Sequence, residues 1–436
     1  MLGQRSFLRT PQDANISVAI PIIAINFAFF MISELIHKIN AFEGISIALC
    51  EINLQKSHEK TPPIAEIQKI FAEFTPIALE QYKLRNKAES KLPSFCSNGC
   101  LFWQRSLEQA TSETVAQWKS KFFPTQRLLS VTGGFGVDEW AWNRSGTEVI
   151  SCDIQADLNA LVRFNQQKLD IQYNRYDCDA LTLLNRNKTH SGALVYVDPD
   201  RRDGNNRLSG YWENFQPRID QLIKEFGTNY TNWLIKMSPM TDFRVLRDVI
   251  PGAITFYSIF FQGEVKELLL HINTESKMNT KRLAVHLSNS GDAHFFDSNE
   301  INRFINVQSK DNPETSNGYI FEPHGGINNL NLNSLLIDIP QLKSLTPQHT
   351  LFESKIRLPQ YWGRTKAILT KFDGSLNNIH KQLRNLGITA ASVTARNTRG
   401  IKAETIKKKL GLEEGDKHTM FVTHSKNGFQ AWLTLS

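Results

Sequence analysis

The chain has 436 residues, of which 41% are hydrophobic and 21% charged; that length supports more than one core, and the composition excludes wholesale disorder, a collagen-like repeat and a small disulfide scaffold. The net charge of +7 is localised, because Lys355–Leu410 holds thirteen Lys/Arg against two acids, Asp373 and Glu404, while the rest of the chain is mildly acidic. Such segregation points to a polyanionic partner for one C-terminal segment, the alternative being a solvated face that aids solubility.

Five cysteines (Cys50, Cys96, Cys100, Cys152, Cys178) are odd in number and widely spread, as suits a reducing compartment. Cys96 and Cys100 lack a second Cys/His pair at zinc-ligand spacing, so they are read as ordinary thiols and no metal site is expected. At the amino end, Ala14–Ser33 carries no charge and follows Arg5 and Arg9, as in a signal peptide or anchor. Pro21 and Asn26 inside the run, and Glu34, His37 and Lys38 directly after it, argue instead for a buried helix or an extension of residues 1–30 ahead of a start at Met31. The expectation is a cytoplasmic protein without a membrane anchor.

Residues 31–123 read as a helical region, with apolar positions at three- and four-residue spacing (Ile64, Ile67, Ile70, Phe71, Phe74) and prolines at 62, 63, 76, 93 and 124. From 124 to 274 the texture is α/β. Strands are predicted at Leu128–Thr132, Glu148–Asp153, Gln172–Asp177, Ala193–Asp198, Trp233–Ser238, Ile254–Phe260 and Val265–Asn273. Helices are predicted at Ala156–Lys168, Glu213–Phe226 and Asp242–Val249. This alternation specifies a parallel, Rossmann-like sheet with helices on both faces. Only Phe261–Glu264 joins the last two strands, too short for a crossover, so they must form an antiparallel hairpin. Five parallel strands closed by a hairpin make the sheet of class I methyltransferases, where a dehydrogenase domain carries a sixth parallel strand. Beyond it, 275–354 is of mixed polarity and 355–436 reads as a small α+β unit. In the latter Ser375 caps a helix over Leu376–Leu386, and a strand (Ile388–Ala395), a basic helix (Ala403–Leu410) and strands at Thr419–Thr423 and Gln430–Leu435 follow.

Leu128–Asp138 is a strand, a glycine-rich turn and a helix start, with Gly133, Gly134 and Gly136 letting backbone approach a ligand between Thr132, Phe135 and Asp138. A dinucleotide fingerprint needs a third glycine where Glu139 stands, a residue expected to crowd and repel a pyrophosphate. S-adenosylmethionine (SAM) has no phosphate and tolerates nearby acids. Asp153, with Ile154 after it, lies nineteen residues past Gly134 at a strand end, where an acid accepts hydrogen bonds from ribose hydroxyls. Asp177, Asp179 and Ala180 stand at the adenine edge of the next strand. The fourth strand runs into Asp198-Pro199-Asp200-Arg201-Arg202, at the carboxyl end where the acceptor should lie, and Lys236-Met237-Ser238-Pro239-Met240 is a second wall. The loop is similar to the Asp/Asn-Pro-Pro-aromatic loop of amino-group methyltransferases, with Asp200 and Arg201 replacing the second proline and the aromatic. Asp198, Pro199, Arg201 and Lys236 are thus the candidate catalytic set.

The strings SLEQATSETVAQWK (106–119), VTGGFGVDEW (131–140), VYVDPDRRD (195–203), LIKMSPM (234–240), VKELLL (265–270) and YIFEPHGGI (319–327) resemble a bacterial family of class I SAM-dependent methyltransferases common in Bacteroidetes. Ser392–Leu410 is similar to that family's THUMP-like end. The resemblance implies a helical N-terminal region, a SAM-binding core, a ferredoxin-like domain over 275–354 and a THUMP-like module over 355–436. Domains of the THUMP type bind RNA, so Arg396, Arg399, Lys402, Lys407, Lys408 and Lys409 are expected phosphate contacts. The leading function is methylation of tRNA or rRNA. A protein or small-molecule acceptor, or a non-catalytic SAM/RNA-binding protein, are the alternatives.

Overall fold

A computed structural model describes residues 75–190, 192–200, 212–308, 317–425 and 428–436. Two compact units divide them: 75–110 with Gln155–Ile171, and Thr111–Ile154 with the described residues from Gln172 to Ser436. The apolar run Ala14–Ser33 lies outside the described residues, among which no helix is long and apolar enough to cross a membrane.

The first unit is helical (Thr75–Ala88, Pro93–Ser97, Gln104–Gln109 and Ala156–Lys168). Pro93 opens its helix at a position where the missing N–H costs nothing. Three buried side chains satisfy the irregular backbone between these helices. Arg85 donates to the carbonyls of Cys96 (3.0 Å) and Cys100 (2.8 Å), while Gln81 and Asn165 each make reciprocal bonds with the backbone of Phe102 and Leu101.

The second unit contains a nine-stranded sheet: β1 (Arg127–Ser130), β2 (Glu148–Asp153), β3 (Asn174–Asp177), β4 (Leu194–Val197), β5 (Asn232–Met237), β6 (Ala253–Phe261), β7 (Glu264–Asn273), β8 (Asn279–Leu287) and β9 (Ala293–Phe296). Their order is β3-β2-β1-β4-β5-β7-β6-β8-β9. The first five are parallel and β7 runs antiparallel between β5 and β6. Gln262 and Gly263, both at positive φ, turn the hairpin in the conformation that matches strand twist. One face of the sheet is a continuous apolar core, with Leu129, Val131, Ile150, Val195, Val197, Trp233, Ile235, Leu268 and Leu270 buried against flanking elements. The predicted helix over Glu213–Phe226 is shorter, Ile219–Phe226. Pro217 has no N–H to give and holds Gln216 extended, where it bridges to Asp200.

The stretch 275–354, expected as one small domain, is shared between two sheets. β8 extends the large sheet parallel to β6, and β9 follows it. β10 (Tyr319–Pro323), β11 (Leu342–Ser344) and β12 (Phe352–Ser354) join β13 (Gly363–Gly374), β14 (Ser392–Ala395), β15 (His418–Ser425) and β16 (Gly428–Leu435) in a seven-stranded sheet, ordered β11-β12-β10-β13-β16-β15-β14. The helices Leu376–Asn385 and Ala403–Lys409 bury Ile379, Leu383 and Ile406 against Met420, Val422 and Leu433. Ser375 caps the first of them through the Asn378 N–H (3.2 Å), as its position indicates.

At the end of β10, His324 is buried, stacked 4.4 Å from the ring of Phe260 and 5.7 Å from that of His286, and its Nδ1 accepts the Gly326 N–H at 3.1 Å. Burial, with His286 beside it, pushes its imidazole down to about 3. The unfolded chain therefore binds the extra proton below its ordinary range of about 6.5, and stability present at neutral pH is lost as pH falls. His324→Asn, which keeps an acceptor for Gly326, is expected to remove about 2 kcal/mol of the acid-induced loss between about pH 7 and pH 5. Urea unfolding of both proteins at the two pH values checks this; parallel losses would refute it.

Candidate active site

The carboxyl ends of β1, β2, β4 and β5 converge on one turn. Beyond β1, Val131 donates to the Tyr196 carbonyl (3.0 Å), and the turn Gly133–Gly136 closes with Gly136 N–H on the Gly133 carbonyl (3.0 Å). Gly134 at φ +50° and Gly136 at φ +82° adopt the left-handed conformation that glycine takes without penalty, and Gly136 starts the helix Val137–Arg144. Gly133 N–H donates to the Cys152 carbonyl at 2.7 Å, and Gly134 N–H to Asp153 Oδ2 at 3.0 Å. Arg175, on β3, donates to the Gly134 carbonyl at 2.6 Å. The turn is thus held by an acid on one side and a guanidinium on the other. The turn brings Thr132, Gly133, Gly134, Gly136 and Asp153 together, and Phe135 is buried. Ile154, next to Asp153, leaves 77% of its surface exposed, an apolar side chain at the lip of the site.

Two acids assigned to the cofactor, Asp138 and Asp179, have protein partners of their own. Asp138 is buried and spends its carboxylate on Thr111 Oγ1 (2.9 Å), the Tyr196 hydroxyl (2.8 Å) and Lys119 Nζ (2.7 Å). Despite burial, the Lys119 and Lys236 ammonium groups hold it below the usual carboxylate range. Asp179 accepts the Thr182 N–H at 2.7 Å as the cap of the helix Ala180–Arg186, in which Ala180 is buried. Glu139, expected to repel a pyrophosphate, points beneath the sheet and accepts from Ser130 (2.5 Å) and Ser151 (3.3 Å). Both acids at the third strand's end are exposed, Asp177 on β3 itself and Asp179 just after it.

At the reacting end, Asp198 N–H donates to Thr132 Oγ1 at 2.6 Å, coupling β4 to the glycine turn, and Asp198 Oδ2 lies 2.7 Å from Lys236 Nζ on β5. Asp198 is half-buried and Lys236 buried. Pro199 follows, and Arg201 and Arg202 lie outside the described residues. Sequence reasoning missed Arg175, Lys119 and Glu267. The last two lie inside quoted strings, but nothing local marks them as partners.

In the C-terminal sheet, Arg396 ends β14 in an ion pair with the buried Glu322 (2.5 Å), and Lys407 pairs with Glu414. Arg399, Lys402, Lys408 and Lys409 are exposed in and around the helix Ala403–Lys409.

No family model and no curated protein matches the chain. Among solved structures, a candidate methyltransferase from Porphyromonas gingivalis W83 superposes with a TM-score of 0.69 at 21% identity, covering 87% of this chain and 92% of that one. A candidate class I SAM-dependent methyltransferase from Listeria monocytogenes overlaps 58% of this chain and 94% of its own at 12% identity and a TM-score of 0.33. The P. gingivalis likeness agrees with the strand order: the chain has the class I methyltransferase fold.

Proposed function

We propose that the protein is a SAM-dependent methyltransferase that acts on RNA. The observation that carries this reading is the joint between β1 and β2, where the Gly134 N–H of a tight glycine turn donates to the carboxylate of Asp153. The donor set fits SAM. A carboxylate offers about four lone-pair sites, so Asp153 can hold Gly134 and still accept from ribose hydroxyls, and exposed Ile154 suits the face of an adenine. When bound, SAM supplies a methyl group already activated on a sulfonium. What remains for the protein is positioning. Thr132 fixes the backbone of Asp198, and Lys236 fixes its carboxylate. Asp198 then accepts a hydrogen bond from the N–H or O–H of the acceptor and turns its lone pair toward the methyl carbon.

An RNA acceptor is supported by the cationic segment Lys355–Leu410 and by the exposed Arg399, Lys402, Lys408 and Lys409 in and around one helix. The ion pairs of Arg396 and Lys407 count toward a protein or small-molecule acceptor, because they engage two of the expected contacts.

The test incubates the full chain with methyl-labelled SAM and total RNA. Label is expected in RNA, and the triple variant K402E/K408E/K409E is expected to lose about tenfold or more in RNA affinity with a shallower salt dependence, while S-adenosylhomocysteine binding is unchanged. Tight S-adenosylhomocysteine binding without RNA labelling would transfer the reading to another acceptor. No binding of either cofactor form would end it.

A further inference from the structure

Five of the quoted strings deliver ionisable side chains to one buried place: Lys119 from 106–119, Asp138 from 131–140, Tyr196 and Asp198 from 195–203, Lys236 from 234–240 and Glu267 from 265–270. Strand register explains why they meet. Tyr196 pairs with Leu234, and Lys236 with Leu269. With alternation every second residue, Tyr196, Asp198, Lys236 and Glu267 emerge on the same face of the sheet. Fully buried Lys119 comes from the helix Glu113–Phe122, its Nζ 2.7 Å from Asp138, 3.1 Å from Glu267, 3.2 Å from the Tyr196 hydroxyl and 3.4 Å from Thr111 Oγ1. Lys236 lies 2.7 Å from Asp198; burial would lower its ammonium, but the carboxylates of Asp198 first, then Glu267 and Asp138, outweigh that and raise it above the ordinary range. Two ammonium groups are therefore divided among three carboxylates.

Burying such a set is costly, and a well-packed apolar cluster of the same volume would be as stable or more so. Stability alone does not account for it. Resting on the reading that Asp198 faces the sulfonium, we propose that Lys119, Asp138 and Glu267 are positioning residues: the two carboxylates compete with Asp198 for Lys236, Lys119 offsets their pull, and the balance sets how much of the Asp198 charge faces the transferred methyl group. None of the three is placed against the cofactor; they act through Lys236.

SAM and S-adenosylhomocysteine differ by one methyl and one unit of charge at sulfur, so the ratio of their affinities reads the field at the reacting centre and needs no acceptor. Calorimetry on the full chain at about pH 8 supplies both affinities. In K119M the anions below are uncompensated and draw Lys236 from Asp198, and the preference for SAM is expected to rise about threefold or more. In E267Q the competition weakens, Lys236 stays on Asp198, and the preference is expected to fall by a similar factor. E267Q keeps the shape of the side chain, so it remains informative should K119M, which strands two buried carboxylates, fail to fold. In a D198N background E267Q is expected to leave the ratio unmoved. A purely structural role would scale both affinities together, and an unaltered ratio in E267Q would overturn the coupling. Should D198N alone leave the ratio unchanged, the placement of Asp198 fails, and this proposal with it.

Discussion

Gly133→Ala is expected to weaken S-adenosylhomocysteine binding by about ten- to a hundredfold while leaving the protein folded. A Cβ at this position would lie 2.4 Å from Ser151 Oγ and 2.6 Å from Arg175 Nη1. The serine hydroxyl can rotate away, but the guanidinium is buried and its other nitrogen donates to the Gly134 carbonyl at 2.6 Å. Making room means loosening that charge-assisted bond, a loss of about 1.5–3 kcal/mol, which converts to the range above. The neighbouring Gly134→Ala provides the contrast. Its Cβ meets nothing closer than the Thr132 carbonyl at 4.0 Å, so only the left-handed backbone at φ +50° opposes it. That penalty is about 1–2 kcal/mol and falls on a turn that keeps both of its clamps. Calorimetry should rank the variants wild type, G134A, G133A in falling affinity. Full affinity in G133A would mean that this turn is not the cofactor's cradle.

The parts of this site legible in the sequence are those fixed by backbone geometry at short range. A strand, a glycine turn and an acid nineteen residues on determine where Gly134 and Asp153 meet, and they meet by a single hydrogen bond. The closing hairpin was legible for a similar reason, since the four residues read between the strands, two in the structure, are too few for a crossover. Side-chain direction was not legible. Asp138 and Glu139 open the same helix, and both turn into the buried face, because Lys119, Tyr196, Ser130 and Ser151 supply partners from distant elements. Lys119 and Glu267 are 148 residues apart and meet only through tertiary packing. Nor could composition show that β8 would pair with β6 while β10 pairs with β13.

The position of Glu139 has a thermodynamic signature. Burial raises its carboxyl from an ordinary 4.5 to about 7, against the opposing pull of the Arg175 guanidinium and the hydrogen bond from Ser130. A folded-state value above the unfolded one means that the folded protein binds the proton more tightly. The resulting stability is complete below pH 4.5 and is lost as pH climbs through about 7. Over that interval the loss amounts to about 3 kcal/mol. In Glu139→Gln the amide oxygen can still accept from Ser130, but the side chain no longer titrates. The stability of E139Q relative to wild type is therefore expected to rise by about 3 kcal/mol between about pH 4.5 and pH 8, measured by denaturant unfolding at half-unit steps. The same shift ties folding to the site, since Glu139 supports Ser151, and Ser151 sits beneath the spot where Gly133 has no side chain. Deprotonation at alkaline pH should then weaken the glycine turn in wild type and spare it in E139Q, so that S-adenosylhomocysteine affinity declines above about pH 7 only in the former. A flat difference between the two proteins across the range, in stability and in binding alike, would show that Glu139 stays ionised in the fold and that the buried face beneath the turn is wetter than its packing implies.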